Sequence, residues 1–208
     1  MDIQQLGLFV AAVLVLNLTP GPDMLFSAAS GMKGGSRAGL ISALGIGVGG
    51  LVHALLAAVG VTALIASSDL AFTALRIIGA FYLLWIGVRS FKSVTGEQTA
   101  SLSYDLSGRR LFARGFVTNV LNPKVGLFFI AFLPQFVDPA SEGVALQIFL
   151  MGCFVGLSGT VINGTVGFFA GEASQKIFDR PALKKAIAWL SGSLLIMLGV
   201  RLLFVERK

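Results

Sequence analysis

Six stretches of this chain are apolar enough, for long enough, to cross a bilayer, which takes about 20 residues per helix. Ile3 to Pro22 has no charged side chain, and Ala38 to Ser68 has none while enclosing His53. Leu70 to Val88 holds only Arg76, Gly115 to Val137 only Lys124, Gly143 to Gly171 none, and Ala186 to Val205 only Arg201. This pattern predicts an all-α integral membrane protein of six transmembrane helices. The second and fifth runs are long for one span and short for two, so tilt takes up their excess.

Between the runs, basic residues fall on one side. Lys33 and Arg37 follow the first span, Arg89, Lys92, Arg109, Arg110 and Arg114 the third, and Lys176, Arg180, Lys184 and Lys185 the fifth. The alternate loops, Ser67 to Leu70 and Asp138 to Glu142, have no Lys or Arg. Cytoplasmic loops carry that excess, which puts both termini outside. Arg201, Arg207 and Lys208 run against this orientation. The first run lacks a basic flank and carries Asp2, so it reads as a retained helix rather than a signal peptide.

The two halves look alike. Leu83-Leu84-Trp85-Ile86-Gly87-Val88-Arg89 closes span three, and Leu195-Ile196-Met197-Leu198-Gly199-Val200-Arg201 closes span six. Spans one and four both carry a proline break after an asparagine: Asn17-Leu18-Thr19-Pro20-Gly21-Pro22 and Asn119-Val120-Leu121-Asn122-Pro123-Lys124. Three spans per half is an odd number, so the second half enters the membrane inverted, a 3+3 inverted repeat with helices one and four broken. The predicted division is residues 1–92 for the first repeat, 93–112 for a Ser/Thr/Gly-rich cytoplasmic linker, and 113–208 for the second repeat, together one membrane domain.

Composition agrees. The chain is 55% hydrophobic and 12% charged, about half the charge of a soluble domain. The net charge of +6 comes from loop bases, which speaks for membrane orientation and against nucleic acid. Cys153 is the single cysteine and His53 the single histidine, which leaves no disulfide and no Cys/His metal set.

The candidate chemistry lies at the breaks Pro20, Gly21, Pro22 and Pro123. Proline removes an N–H and strands a carbonyl, which inside a bilayer must find protein or cavity water. Asp23 and Lys124 adjoin the breaks, and buried charges in a bilayer face cavities and find partners. Snorkelling to an interface is the alternative, easier for Asp23 than for Lys124. Substrate contacts are expected from Asp23, Lys124, Asn17, Asn119, Asn122 and Asn163. Asp23 is expected to hold an ammonium or a proton in turn, and Lys124 with the half-helix N-terminus a carboxylate. His53 is either a proton relay with Asp23 or a hydrogen-bond donor to a neighbouring helix. Gly45 with Gly49, Gly152 with Gly156 and Gly167 with Gly171 read as close-packing pairs. Phe128, Phe129, Phe132 and Phe136 read as packing or lipid contact, with one of them a candidate gate.

Taken in order, Asn17-Leu18-Thr19-Pro20-Gly21-Pro22-Asp23, Gly31-Met32-Lys33-Gly34-Gly35, Ala80-Phe81-Tyr82-Leu83-Leu84-Trp85-Ile86-Gly87, Thr118-Asn119-Val120-Leu121-Asn122-Pro123-Lys124 and Phe132-Leu133-Pro134-Gln135-Phe136 resemble the LysE/RhtB family of bacterial amino-acid exporters over nearly the whole chain. The resemblance implies proton-coupled export of amino acids or close derivatives across the bacterial inner membrane, with no cofactor. Where that family often has an acidic residue in span five, this chain has Asn163, which favours a neutral substrate. The rivals are an exporter of another small solute or metal ion, and a membrane enzyme or subunit. The first wants more acidic or soft ligands, and the second a nucleophile–base set that is absent. Exact substrate and oligomeric state stay open, a homo-oligomer among the options.

Overall fold

The computed structural model describes residues 3–67, 107–138 and 141–172, with scattered positions between 73 and 88 and between 185 and 200. All regular structure among these residues is helical. The elements are α1 (Ile3–Leu18), α2 (Pro22–Ser67), α3 (Gly108–Val120), α4 (Pro123–Ala131), a 3-10 turn (Leu133–Phe136) and α5 (Val144–Glu172).

Burial is inside out. After Gly35, α2 exposes Leu40, Leu44, Val48, Leu51 and Leu55 while burying Ser42 and His53. α5 exposes Leu146, Leu150, Phe154, Leu157 and Val161 while burying Asn163 and several glycines. These stripes repeat every three to four residues, one face of a helix. Water solvates such faces poorly and hydrocarbon solvates them well. Two helical stretches, Pro22–Gly60 and Val144–Glu172, are long and apolar enough to cross a membrane, and α3 with α4 and the turn to Phe136 forms a third candidate bent by 49°.

The first span differs from the sequence expectation. It does not end at Pro22. A break at residues 19–21 separates α1 from α2, and the helix then continues through the stretch read as a loop, Lys33 included. α2 is itself a hairpin. Gly35 has φ 77° and ψ 175°, a region that only glycine occupies readily. Ser27 Oγ donates to Asn163 O at 2.7 Å and lies 3.1 Å from Gly39 O. A straight helix would hold residues 27 and 39 about 18 Å apart, so the chain reverses at Gly35 with no loop. Asp23 therefore begins a buried half-helix rather than ending a span.

Glycines let the helices meet backbone to backbone. A Cβ on Gly39 would collide with Gly167, and one on Gly45 with the backbone of α3 at Phe112. Of the expected pairs, Gly45, Gly49, Gly152, Gly167 and Gly171 sit at such close contacts, whereas Gly156 faces Gly50 at an ordinary van der Waals distance of 3.6 Å. Phe128, Phe129, Phe132 and Phe136 are all buried, with successive ring centroids 4.7 Å (Phe128–Phe132) and 5.0 Å (Phe132–Phe136) apart. They pack the core between α1, α4 and α5 rather than face lipid.

α3 begins at Gly108, inside the stretch read as linker, so residues 108–112 are helix. Residues 93–106, Tyr82, Arg89, Lys92, Lys176, Arg180, Lys184, Arg201 and most of the paired Leu83–Arg89 and Leu195–Arg201 segments lie outside the described residues. Of the scattered positions, a Cβ on Gly199 would lie 2.8 Å from Leu84 Cγ and 3.0 Å from Ala80 O. The stretches read as spans three and six thus touch.

Candidate functional site

Both proline breaks leave carbonyls without a helical donor, and the structure shows what answers them. In the first, Pro20 has no N–H for Leu16 O. Lys124 Nζ donates to Leu16 O at 3.1 Å and to Thr19 O at 2.8 Å. Gly21 makes room: a Cβ there would lie 3.1 Å from Nζ. A cation at the C-terminal end of α1 also suits the helix dipole. In the second, Pro123 has no N–H for Asn119 O. The Asn122 N–H turns back to it at 2.9 Å, and His53 Nε2 lies 3.0 Å away. A carbonyl only accepts, so Nε2 carries the proton. His53 also lies against Phe129, with ring centroids 5.6 Å apart.

Asn122 begins α4, and its Oδ1 accepts the Lys124 N–H at 3.1 Å. This N-cap satisfies one of the donors that a new helix start exposes. Its Nδ2 is buried with no hydrogen-bond partner.

Between the breaks lies a small cavity of about 20 Å³, lined by Asn17, Asp23, Asn119 and Asn163 together with Ile46, Gly50, Val125, Phe129, Val155, Gly156 and Gly159. That volume holds about one water. Asn17 Nδ2 ties α1 to α5 through Val155 O at 3.2 Å and Ser158 Oγ at 3.0 Å. Asn119 Nδ2 donates to Asp23 Oδ2 at 2.7 Å, joining the two helix breaks. Asn163 Nδ2 donates to Gly159 O at 2.8 Å within α5. These partners fix which way each amide faces. The remaining oxygens, Asp23 Oδ1, Asn119 Oδ1 and Asn163 Oδ1, are buried without a donor. Asp23 is the one ionisable residue in the described lining, and it is 7% exposed.

The structure thus gathers Asn17, Asp23, Asn119 and Asn163 around one cavity and sets Asn122 and His53 behind it. Lys124 is placed differently from the sequence expectation. Its ammonium is not in the cavity lining and rests on two backbone carbonyls. Sequence reasoning missed Thr19 and Ser27, both fully buried; Thr19 Oγ1 bonds back to Val15 O at 2.6 Å. It also missed Val155 and Gly156 as lining, for which no local signal exists, while Phe129, one of the four phenylalanines among which a gate was expected, does line the cavity. Among the described residues, no three of His, Cys, Asp and Glu converge to hold a metal ion.

Three comparisons bear on identity. Residues 14–205 match the family model described as "LysE type translocator". A Vibrio cholerae protein named only as an uncharacterized membrane protein is 33% identical over 142 residues, 68% of this chain and 69% of the relative. The homoserine/homoserine lactone efflux protein of Salmonella typhimurium is 29% identical over 191 residues, 90% of each chain. The leucine efflux protein of an Enterobacter species is 27% identical over 195 residues, 93% of this chain and 92% of the relative. No solved structure matches. With nearly its whole length matched, and with apolar faces turned outward around a buried polar cavity, the chain belongs to the LysE type translocator family, membrane proteins of bacteria.

Proposed function

We propose that this protein exports amino acids or close amine-bearing derivatives across the bacterial cytoplasmic membrane by proton-coupled antiport, with a neutral substrate favoured. The observation that carries the reading is the cavity at the two helix breaks. Its one ionisable residue is a carboxylate, and its unpaired atoms are three oxygens. An ammonium offers three N–H donors and a positive charge, which matches that set.

The relatives' names support the same choice. Homoserine, homoserine lactone and leucine share an amine, while the lactone has no free carboxylate. The common handle is therefore the ammonium. This favours Asp23 as the recognition group and makes a carboxylate ligand dispensable, in keeping with an ammonium of Lys124 already engaged elsewhere. Asp23 binds a proton or the substrate ammonium, not both, and competition at one carboxylate couples the two fluxes. Asn17, Asn119 and Asn163 supply neutral acceptors, so a second cationic group on the substrate finds no second carboxylate there.

The broken spans suit alternating access. Each is a pair of half-helices joined by a few residues, and each half of a 3+3 inverted repeat contributes one. Rocking one half against the other would open the cavity to either side in turn. Counterflow in proteoliposomes tests the reading. Vesicles loaded with an unlabelled solute should accelerate uptake of the labelled one for amine-bearing solutes such as leucine, homoserine and homoserine lactone. Their N-acetyl derivatives should give none. A panel in which no free amine gives counterflow, or in which N-acetylation makes no difference, would sink the proposal.

A further inference from the structure

We propose that Lys124 and His53 are reciprocal latches, positioning residues that hold the cavity shut by capping the helix break of the opposite half. Two prolines, Pro20 and Pro123, interrupt the helices. Each removes the N–H that a carbonyl four residues earlier would have used. The carbonyl left by Pro20 belongs to the first half and is met by Lys124 of the second. The carbonyl left by Pro123 belongs to the second half and is met by His53 of the first. Asn119 O also accepts the Asn122 N–H of its own half at 2.9 Å, so His53 supplies its second bond, while Lys124 reaches Leu16 O from the opposite half. Both donors therefore cross the seam along which the halves would move.

A stranded carbonyl in a water-free interior is costly, and water that enters an opened site can satisfy it. The two donors thus favour the closed arrangement, in which the cavity is about 20 Å³, over any opened one. Neither side chain lines that cavity. Their effect on substrate passes through the breaks they cap. The geometry leaves little slack: a Cβ on Gly21 would lie 3.1 Å from Lys124 Nζ, and one on Gly126 3.3 Å from His53 Cε1. Glycine on each broken span lets the capping side chain come this close.

The proposal rests on reading the cavity as a transport site, and its test is kept separate by leaving substrate out. In a Cys153→Ser background, Val155→Cys places one thiol in the cavity lining. The readout is its rate of modification by a small hydrophilic methanethiosulfonate in membranes. The donor-deleting changes Lys124→Met and His53→Leu should each speed labelling by roughly tenfold, as expected when the closed state alone loses a hydrogen bond. The donor-retaining changes Lys124→Arg and His53→Gln should label at the parent rate. Should Lys124→Met fail to insert, the His53 pair decides alone. Parent-rate labelling in folded His53→Leu overturns the proposal, and so does labelling in His53→Gln as fast as in His53→Leu. Because no substrate is present, a failed counterflow panel leaves this result unaffected.

Discussion

Replacing Asp23 by Asn isolates the charge at the centre of the proposed mechanism. The isosteric amide keeps an oxygen for the Asn119 Nδ2 bond, now 2.7 Å long. That bond changes from charge-assisted to neutral, a loss of about 1 kcal/mol, since bonds to charged groups contribute roughly 1.5–3 kcal/mol and neutral ones 0.5–1.5. Against it, a neutral amide avoids the cost of burying an ionised carboxylate, at least about 2.5 kcal/mol at mid-membrane. The variant should therefore insert, with stability equal to or above the parent. Ligand binding should fall much further. Losing the carboxylate leaves a buried ammonium without its counter-charge, which costs about 3–5 kcal/mol, or roughly two to three and a half orders of magnitude in affinity. The assay is efflux from right-side-out vesicles, or uptake into inside-out ones, with and without an imposed pH gradient. Asp23→Asn should show no response to the gradient, while Asp23→Glu retains part of it. Undiminished gradient-driven flux in Asp23→Asn would refute the assignment of coupling to this carboxylate.

Other outcomes follow from single contacts. Gly35→Ala should destabilise the fold by about 1–3 kcal/mol, because φ 77° with ψ 175° is a conformation that side chains resist; thermal unfolding in detergent reads it. Gly49→Ala should cost about as much by overpacking, since its Cβ would lie 2.8 Å from Asn119 Cβ. Gly60→Ala, with nothing within 4 Å, is the control and should be neutral or stabilising. Asn122→Ala removes the acceptor for the Lys124 N–H and should cost about 1 kcal/mol, largely restored by Asn122→Ser. An equal loss in Ala and Ser variants would show that the cap is not what Asn122 provides.

The two breaks were legible in the sequence because proline in an apolar run has one physical meaning. So were the asparagines beside them, since buried amides must have a purpose. The hairpin at Gly35 was not legible. Counting apolar residues stops at Asp23, and Gly31-Met32-Lys33-Gly34-Gly35 resembles a loop. In the structure Asn119 meets the aspartate, and Gly31 serves close approach to Gly167 on a helix far away in sequence. The partners of Lys124 and His53 were hidden for a related reason. The rule that proline strands the carbonyl four residues earlier points to Leu16 O and Asn119 O as groups needing donors. It does not say which donor, because that depends on how helices more than 60 residues apart come together. The expectation for Lys124 named a substrate carboxylate, and in this structure its ammonium rests on the backbone carbonyls of Leu16 and Thr19.

The one-residue reversal at Gly35 also constrains chain length. With no loop between its limbs, α2 has nowhere to absorb an added or missing residue. One insertion directly after Gly35 would turn the following limb by about 100° about its axis and slide it by about 1.5 Å. His53, Gly45 and Gly49 would all rotate off α3 together, and a leucine stripe meant for lipid would swing towards the polar centre. Phase, more than composition, is what this corner of the molecule protects: a neighbouring side chain can be exchanged singly, whereas a shift in spacing dismantles every contact downstream at once.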